Sequence, residues 1–166
     1  MKISRVASAM YFRNFVFGVE DGLVSTVGLL SGIAIAGVAR ETIILTGIVL
    51  ILVEGFSMAI GSFLSESSEE DYRAQAEVAH TKAVTSAVVM FFSYSAAGFV
   101  PLAPYLVFSG TQAFATSVVC SLVALFALGS FGGRVSHTGL VRGAVRMTII
   151  GGLAVVLGVL VGSMFT

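Results

Sequence analysis

Three carboxylates, Glu20, Asp21 and Glu54, lie inside stretches of sequence that are otherwise apolar and long enough to cross a membrane. Insertion scales charge about 2.5–3.5 kcal/mol for an acid such as Asp at the centre of such a span, so an intramembrane acid is first read as a functional group. Met58 stands one helical turn beyond Glu54 on the same face. A thioether beside carboxylates suits a borderline or soft transition metal, whereas Mg²⁺ or Ca²⁺ calls for oxygen ligands. Asp21, Glu54 and Met58 are therefore candidate ligands of a divalent metal site in a translocation path. The competing reading is packing: methionine is ordinary core filler, and a buried acid can stay protonated or bond a serine. No basic residue lies inside the spans to neutralise these acids, which favours the functional reading. Two acids and a thioether do not complete a coordination shell, so waters or a second subunit supply the rest, and a symmetric homodimer would double the acids.

The neighbours of these residues extend the pattern. Gly18, Asp21, Ser25, Gly28 and Gly32 recur at offsets of three and four, forming one stripe of small and polar groups. Gly47, Glu54, Met58, Gly61 and Ser65, at offsets of seven, four, three and four, again share one face in the next span. For the glycines alone, a close helix interface is the favoured account. With carboxylates embedded in the stripes, a polar pathway between helices, at a homodimer interface, becomes the better one. Glu20 is about 100° around the helix from Asp21 and either lines the path or faces a neighbour.

The elements that must position these groups follow from composition. Of 166 residues, 57% are hydrophobic and 11% charged, against roughly a quarter charged in soluble domains. The mean hydropathy is +1.01. A soluble enzyme, a nucleic-acid binder and a disulfide scaffold are all disfavoured, and the single cysteine, Cys120, excludes an internal disulfide. The fold class is all-α integral membrane, a single transmembrane domain over 1–166. A span needs about 20 mostly apolar residues, and there is room for five, at about 14–39, 42–64, 83–100, 111–131 and 147–165. Residues 83–133 hold no charge, enough for two spans with a turn, and Pro101 and Pro104 are expected to mark it. Continuously apolar runs such as 48–53 exclude the period-2 pattern of a porin-like barrel.

Eight of the nine basic residues (Lys2, Arg5, Arg13, Arg73, Lys82, Arg134, Arg142 and Arg146) fall on one side of this arrangement, with Arg40 alone on the other. The positive-inside rule then puts the N-terminus in the cytosol and the C-terminus outside or in a lumen. His80 and His137 both fall in cytosolic connections, which argues against a Ser/His hydrolase inside the membrane. The cytosolic segment 65–82 carries Glu66, Glu69, Glu70, Asp71 and Glu77. It reads equally as a solvated extension of the helix and as an acidic funnel concentrating cations at the entrance, where Glu66, Glu69 and Glu70 share neighbouring helical positions.

At these residues the sequence resembles the vacuolar iron transporter family. The resemblance rests on Phe17-Gly18-Val19-Glu20-Asp21-Gly22-Leu23-Val24-Ser25-Thr26-Val27-Gly28-Leu29-Leu30-Ser31-Gly32 and on Glu54-Gly55-Phe56-Ser57-Met58-Ala59-Ile60-Gly61. It continues through Ser65 to Asp71, through Pro101-Leu102-Ala103-Pro104-Tyr105, and into the glycine-rich last span. It implies a five-helix homodimeric carrier that moves Fe²⁺, and Mn²⁺ or other divalent ions, out of the cytosol in exchange for protons, with the metal as substrate and no permanently bound cofactor. The family's intramembrane acid and methionine fall on Asp21 and Met58, and its acid before that methionine on Glu54. Two departures stand out: only residues 65–82 remain where well-known members carry a glutamate-rich cytosolic metal-binding domain, and Glu20 replaces a residue that is often uncharged. The expected location is a prokaryotic inner membrane, or a vacuolar membrane if eukaryotic. A non-transporting assembly subunit and an intramembrane hydrolase are the alternatives, and nucleic-acid partners are not expected.

Overall fold

The computed structural model describes residues 2–75, 80–137 and 139–165, with side chains from residue 8 onward. Five helices follow one another: α1 (Lys2–Ile35), α2 (Arg40–Ala74), α3 (Thr81–Val107), α4 (Gly110–Val135) and α5 (Leu140–Ser163). All five are long and apolar enough to cross a membrane, α1 over Ser8–Ile35. Central α1 touches all four others, α2 lies chiefly on α3, and α4 pairs with α5. Short connections alternate the chain direction, so one end gathers Arg13, Arg73, Lys82, Arg134, Arg142 and Arg146, and the opposite end holds Arg40. Lys2, Arg5 and Glu77 lie outside the described side chains.

Each expected span overlaps one of the five helices, although α1 begins before residue 14 and α2 and α3 run on past 64 and 100, and one expectation is corrected. Pro101 and Pro104 do not mark a turn; α3 runs through both to Val107, and the chain reverses at Phe108–Ser109. Proline in a membrane helix is tolerated where other groups satisfy the disturbed backbone. The prolines withhold the amides that would bond the carbonyls of Ala97 and Val100; their own carbonyls accept from the Ser117 hydroxyl at 2.6 Å (Pro101) and from the Phe108 amide at 2.8 Å (Pro104). Arg40 then crosses from α2 to donate to the carbonyls of Tyr105 (2.7 Å) and Leu106 (2.6 Å), which the end of a helix otherwise leaves unpaired. At the end of α1, Gly37 takes φ +73°, and the amides of Gly37 and Val38 close back onto Ala34 and Ile33. This is the glycine-terminated helix end in which a side chain would be strained.

Since lipid is as apolar as leucine, close backbone packing rather than hydrophobic burial must hold such helices together. The glycine stripe of α1 divides between two neighbours. Gly18 and Gly22 lie against Ser93 and Tyr94 of α3, while Gly28 and Gly32 lie against Ala154 and Gly158 of α5. A Cβ on Gly32 would sit 2.9 Å from the Gly158 carbonyl, so α1 and α5 meet backbone to backbone. Gly129 and Gly143 join α4 to α5 in the same way. Leu30, Ile51 and Leu102 fill one buried cluster and Leu23, Ala97 and Leu125 another.

Candidate functional site

Asp21 is half-buried near the middle of the α1 span, thirteen residues from Ser8 and fourteen from Ile35. Glu54 of α2 and Tyr94 of α3 stand at the same level, each well inside its helix. Three helices are joined there by hydrogen bonds. The Tyr94 hydroxyl donates to Glu54 Oε2 at 2.8 Å and lies 2.8 Å from Ser25 Oγ. Ser25, one turn from Asp21, donates to the Asp21 backbone carbonyl at 2.6 Å. The Asp21 carboxylate itself has no hydrogen bond among the described residues, and the charges of Glu54 and Glu20 bear on it.

Close packing fixes this arrangement. Tyr94 is fully buried, and Gly22 and Gly55 make room for its backbone and ring. Any side chain at Gly22 would collide with the Tyr94 carbonyl, so that glycine sets the approach of α1 to α3. A phenol buried this completely must find a partner for its hydroxyl, and it has two. The structure thus brings Asp21, Ser25 and Glu54 together through a residue that sequence reasoning missed. The signal was there: of the two tyrosines amid the uncharged residues 83–133, Tyr94 is the one at helix centre.

Met58 is half-buried one turn from Glu54, but Gly61 and Ser65 further along the same stripe are exposed. The stripe of α2 therefore turns from its own chain toward the outside, beside the exposed Phe56, Ile60 and Leu64. Glu20 goes elsewhere. It lines an open cavity of about 450 Å³ between α1, α4 and α5, with Arg13, Ser136 and Arg146 also on its wall. Among the described residues, no three His, Cys, Asp or Glu side chains come together as a metal centre. One chain offers two carboxylates and a thioether at mid-helix.

At the basic end the acids of α2 are already engaged. Glu66 is buried and ion-paired with Arg13, while the Asn14 amide donates to Ser62 at 2.8 Å and to Ser86, tying α1 to α2 and α3. Glu69 is exposed and paired with Arg73 at 2.6 Å. His80 stands 3.5 Å from Glu70 and 3.7 Å from Asp71, its ring edge-on to Phe63. The segment after position 65 continues α2 as a helix to Ala74.

The fold and this site define an integral membrane protein with carboxylates and a phenol meeting at the middle of its helices. The chain belongs to the VIT family, whose model matches residues 12–83 and 73–163. It is 25% identical to Vacuolar iron transporter 1 of Tulipa gesneriana, over 86% of this chain and 82% of that protein. It is 27% identical to Vacuolar iron transporter homolog 5 of Oryza sativa subsp. japonica (92% and 79%). With Vacuolar iron transporter homolog 2 of Arabidopsis thaliana it shares 30% identity (88% and 80%).

Proposed function

We propose that this protein is a carrier that moves Fe²⁺, and Mn²⁺ or other divalent transition metals, out of the cytosol in exchange for protons. The observation that carries this reading is the link from Asp21 and Ser25 on α1, through Tyr94 on α3, to Glu54 on α2. Relatives named as vacuolar iron transporters favour iron as the substrate. In this reading Asp21 and Glu54 supply charge to the dication, Met58 adds a polarizable ligand, and Glu69 and Glu70, in competition with Arg73 and His80, draw cations to the cytosolic entrance, while Glu66 is held by Arg13. The two carboxylates of one chain leave the shell incomplete, and the outward turn of the α2 stripe favours a homodimer that completes it.

Proton exchange has a basis in the hydrogen-bond chain. It contains three links, Ser25 to Asp21 carbonyl, Ser25 to Tyr94 and Tyr94 to Glu54, but two hydroxyl protons. A proton on Glu54 would fill the third link, with Glu54 donating to Tyr94, Tyr94 to Ser25 and Ser25 to the carbonyl. A dication arriving at Glu54 displaces that proton, because metal ligands bind deprotonated. Metal and proton thus compete for one carboxylate, which is what exchange requires.

The test is Fe²⁺ flux into proteoliposomes with and without an imposed pH gradient, for wild type, Asp21→Ala and Met58→Ala. The expected result is gradient-dependent flux lost in both folded variants. Undiminished flux in Asp21→Ala would overturn the pathway, and wild-type flux indifferent to the gradient would overturn proton exchange.

A further inference from the structure

We propose that the basic end of α5 binds the headgroup of an anionic phospholipid, a site separate from the metal pathway. The argument starts from charge. No Asp or Glu follows Glu77 in the sequence, so α4 and α5 contain three arginines and no acid. Arg134, Arg142 and Arg146 are exposed, and none forms an ion pair among the described residues. Arg13, by contrast, is held by Glu66.

Geometry adds a place for the ligand. Arg142 and Arg146 are one turn apart on the same face of α5, the separation at which two guanidinium groups can share one phosphate. Both border a shallow apolar groove floored by Val141, Val145 and Ile149. The cavity on the inner side of Arg146 is lined by Glu20, so the seat for an anionic headgroup is the outer groove between Arg142 and Arg146. Toward the middle of the membrane the exposed face continues through Leu153, Val156 and Leu157. From Arg146 to Leu157 is about 16 Å along the helix, the reach of a lipid acyl chain. A positive headgroup seat followed by an apolar track matches an anionic amphiphile, and this end is the one the positive-inside rule assigns to the negatively charged cytosolic leaflet.

Native mass spectrometry of the detergent-purified full chain tests this, with phosphatidylglycerol, phosphatidylcholine of the same acyl chains, and inorganic phosphate as separate probes. The variants are Arg142→Gln/Arg146→Gln, Arg142→Lys/Arg146→Lys and, as a control on the same side, Arg73→Gln. Phosphatidylglycerol should bind wild type in preference to phosphatidylcholine. The double glutamine variant should weaken that binding about five-fold per arginine, roughly thirty-fold for the pair. The lysine pair and Arg73→Gln should retain it, and inorganic phosphate alone should not compete. Equal binding of the two lipids, equal binding by the glutamine variant, or full competition by phosphate would each overturn the proposal. So would a change of oligomeric state in the glutamine variant without a change in lipid binding, since α5 would then face a second copy.

Discussion

Tyr94→Phe removes one hydroxyl from a fully buried position and leaves the ring in place between Gly22 and Gly55. Two hydrogen bonds of 2.8 Å go with it, one to Glu54 and one to Ser25. Bonds of this kind between membrane helices average about 0.6 kcal/mol in double-mutant cycles, with a maximum of about 1.7 kcal/mol. The bond to Glu54 belongs near the upper figure when metal is bound, because the carboxylate is then an ionised acceptor. The concentration of Fe²⁺ at half-maximal flux should therefore rise about three- to fifteen-fold. A stability cycle separates this from a packing defect. Unfolding free energies of wild type, Tyr94→Phe, Glu54→Gln and the double variant should give a coupling of about 0.6–1.7 kcal/mol. Strict additivity, or a half-saturation equal to that of wild type, would refute the claim that Tyr94 orients Glu54.

Other perturbations probe the scaffold. Arg13→Met leaves Glu66 buried without its cation, and because Arg13 is 66% exposed we expect a loss of about 1–3 kcal/mol, below the 3–5 of a fully buried pair. Arg13→Met/Glu66→Met should recover most of it, as measured by unfolding in detergent; no recovery would mean the ion pair is not the cause. Gly158→Leu drives a side chain into the Gly28 and Gly32 backbone and should destabilise by about 1–3 kcal/mol or prevent folding, whereas Gly152→Leu, which meets open space, should be tolerated. Equal melting temperatures for the two leucine variants would remove the α1–α5 seam as a determinant of the fold.

The five spans were legible because hydropathy and the placement of arginine are properties of single residues, unaffected by how helices meet. The proline turn was misread for the opposite reason. Where α3 ends is set with the help of other helices: Ser117 of α4 bonds the Pro101 carbonyl and Arg40 of α2 caps the last turn, and no local rule contains their positions. The stripe of α1 was legible as a stripe, yet its division between α3 and α5 was not, since a single helix carries no record of where its neighbours cross. Asp21 and Glu54 stood out by cost, because a carboxylate in a span demands explanation. Tyr94 did not, because a phenol in a membrane helix costs little when its hydroxyl has a partner, and that the partner here is an acid is set by another helix. Asn14 escaped in the same way: at the start of the expected span and ordinary by type, it links three helices.

Glu20 and Asp21 show how one helical step separates two environments. Adjacent side chains on a helix diverge by about 100°, so while Asp21 stays with Ser25, Tyr94 and Glu54, its neighbour enters the cavity shared by α4 and α5. The two acids sense each other's charge, but no hydrogen bond joins them. If the pathway runs along the α2–α3 face of α1, neutralising Glu20 removes a neighbouring like charge and no ligand. Glu20→Gln should then preserve at least half of the wild-type Fe²⁺ flux, with half-saturation moving by about three-fold or less, on the order of 0.6 kcal/mol through a largely screened interaction. Asp21→Asn, which retains size and loses the charge, should abolish flux. Equal losses in both variants would place the path on both sides of α1, and a loss confined to Glu20→Gln would move it to the α4–α5 cavity.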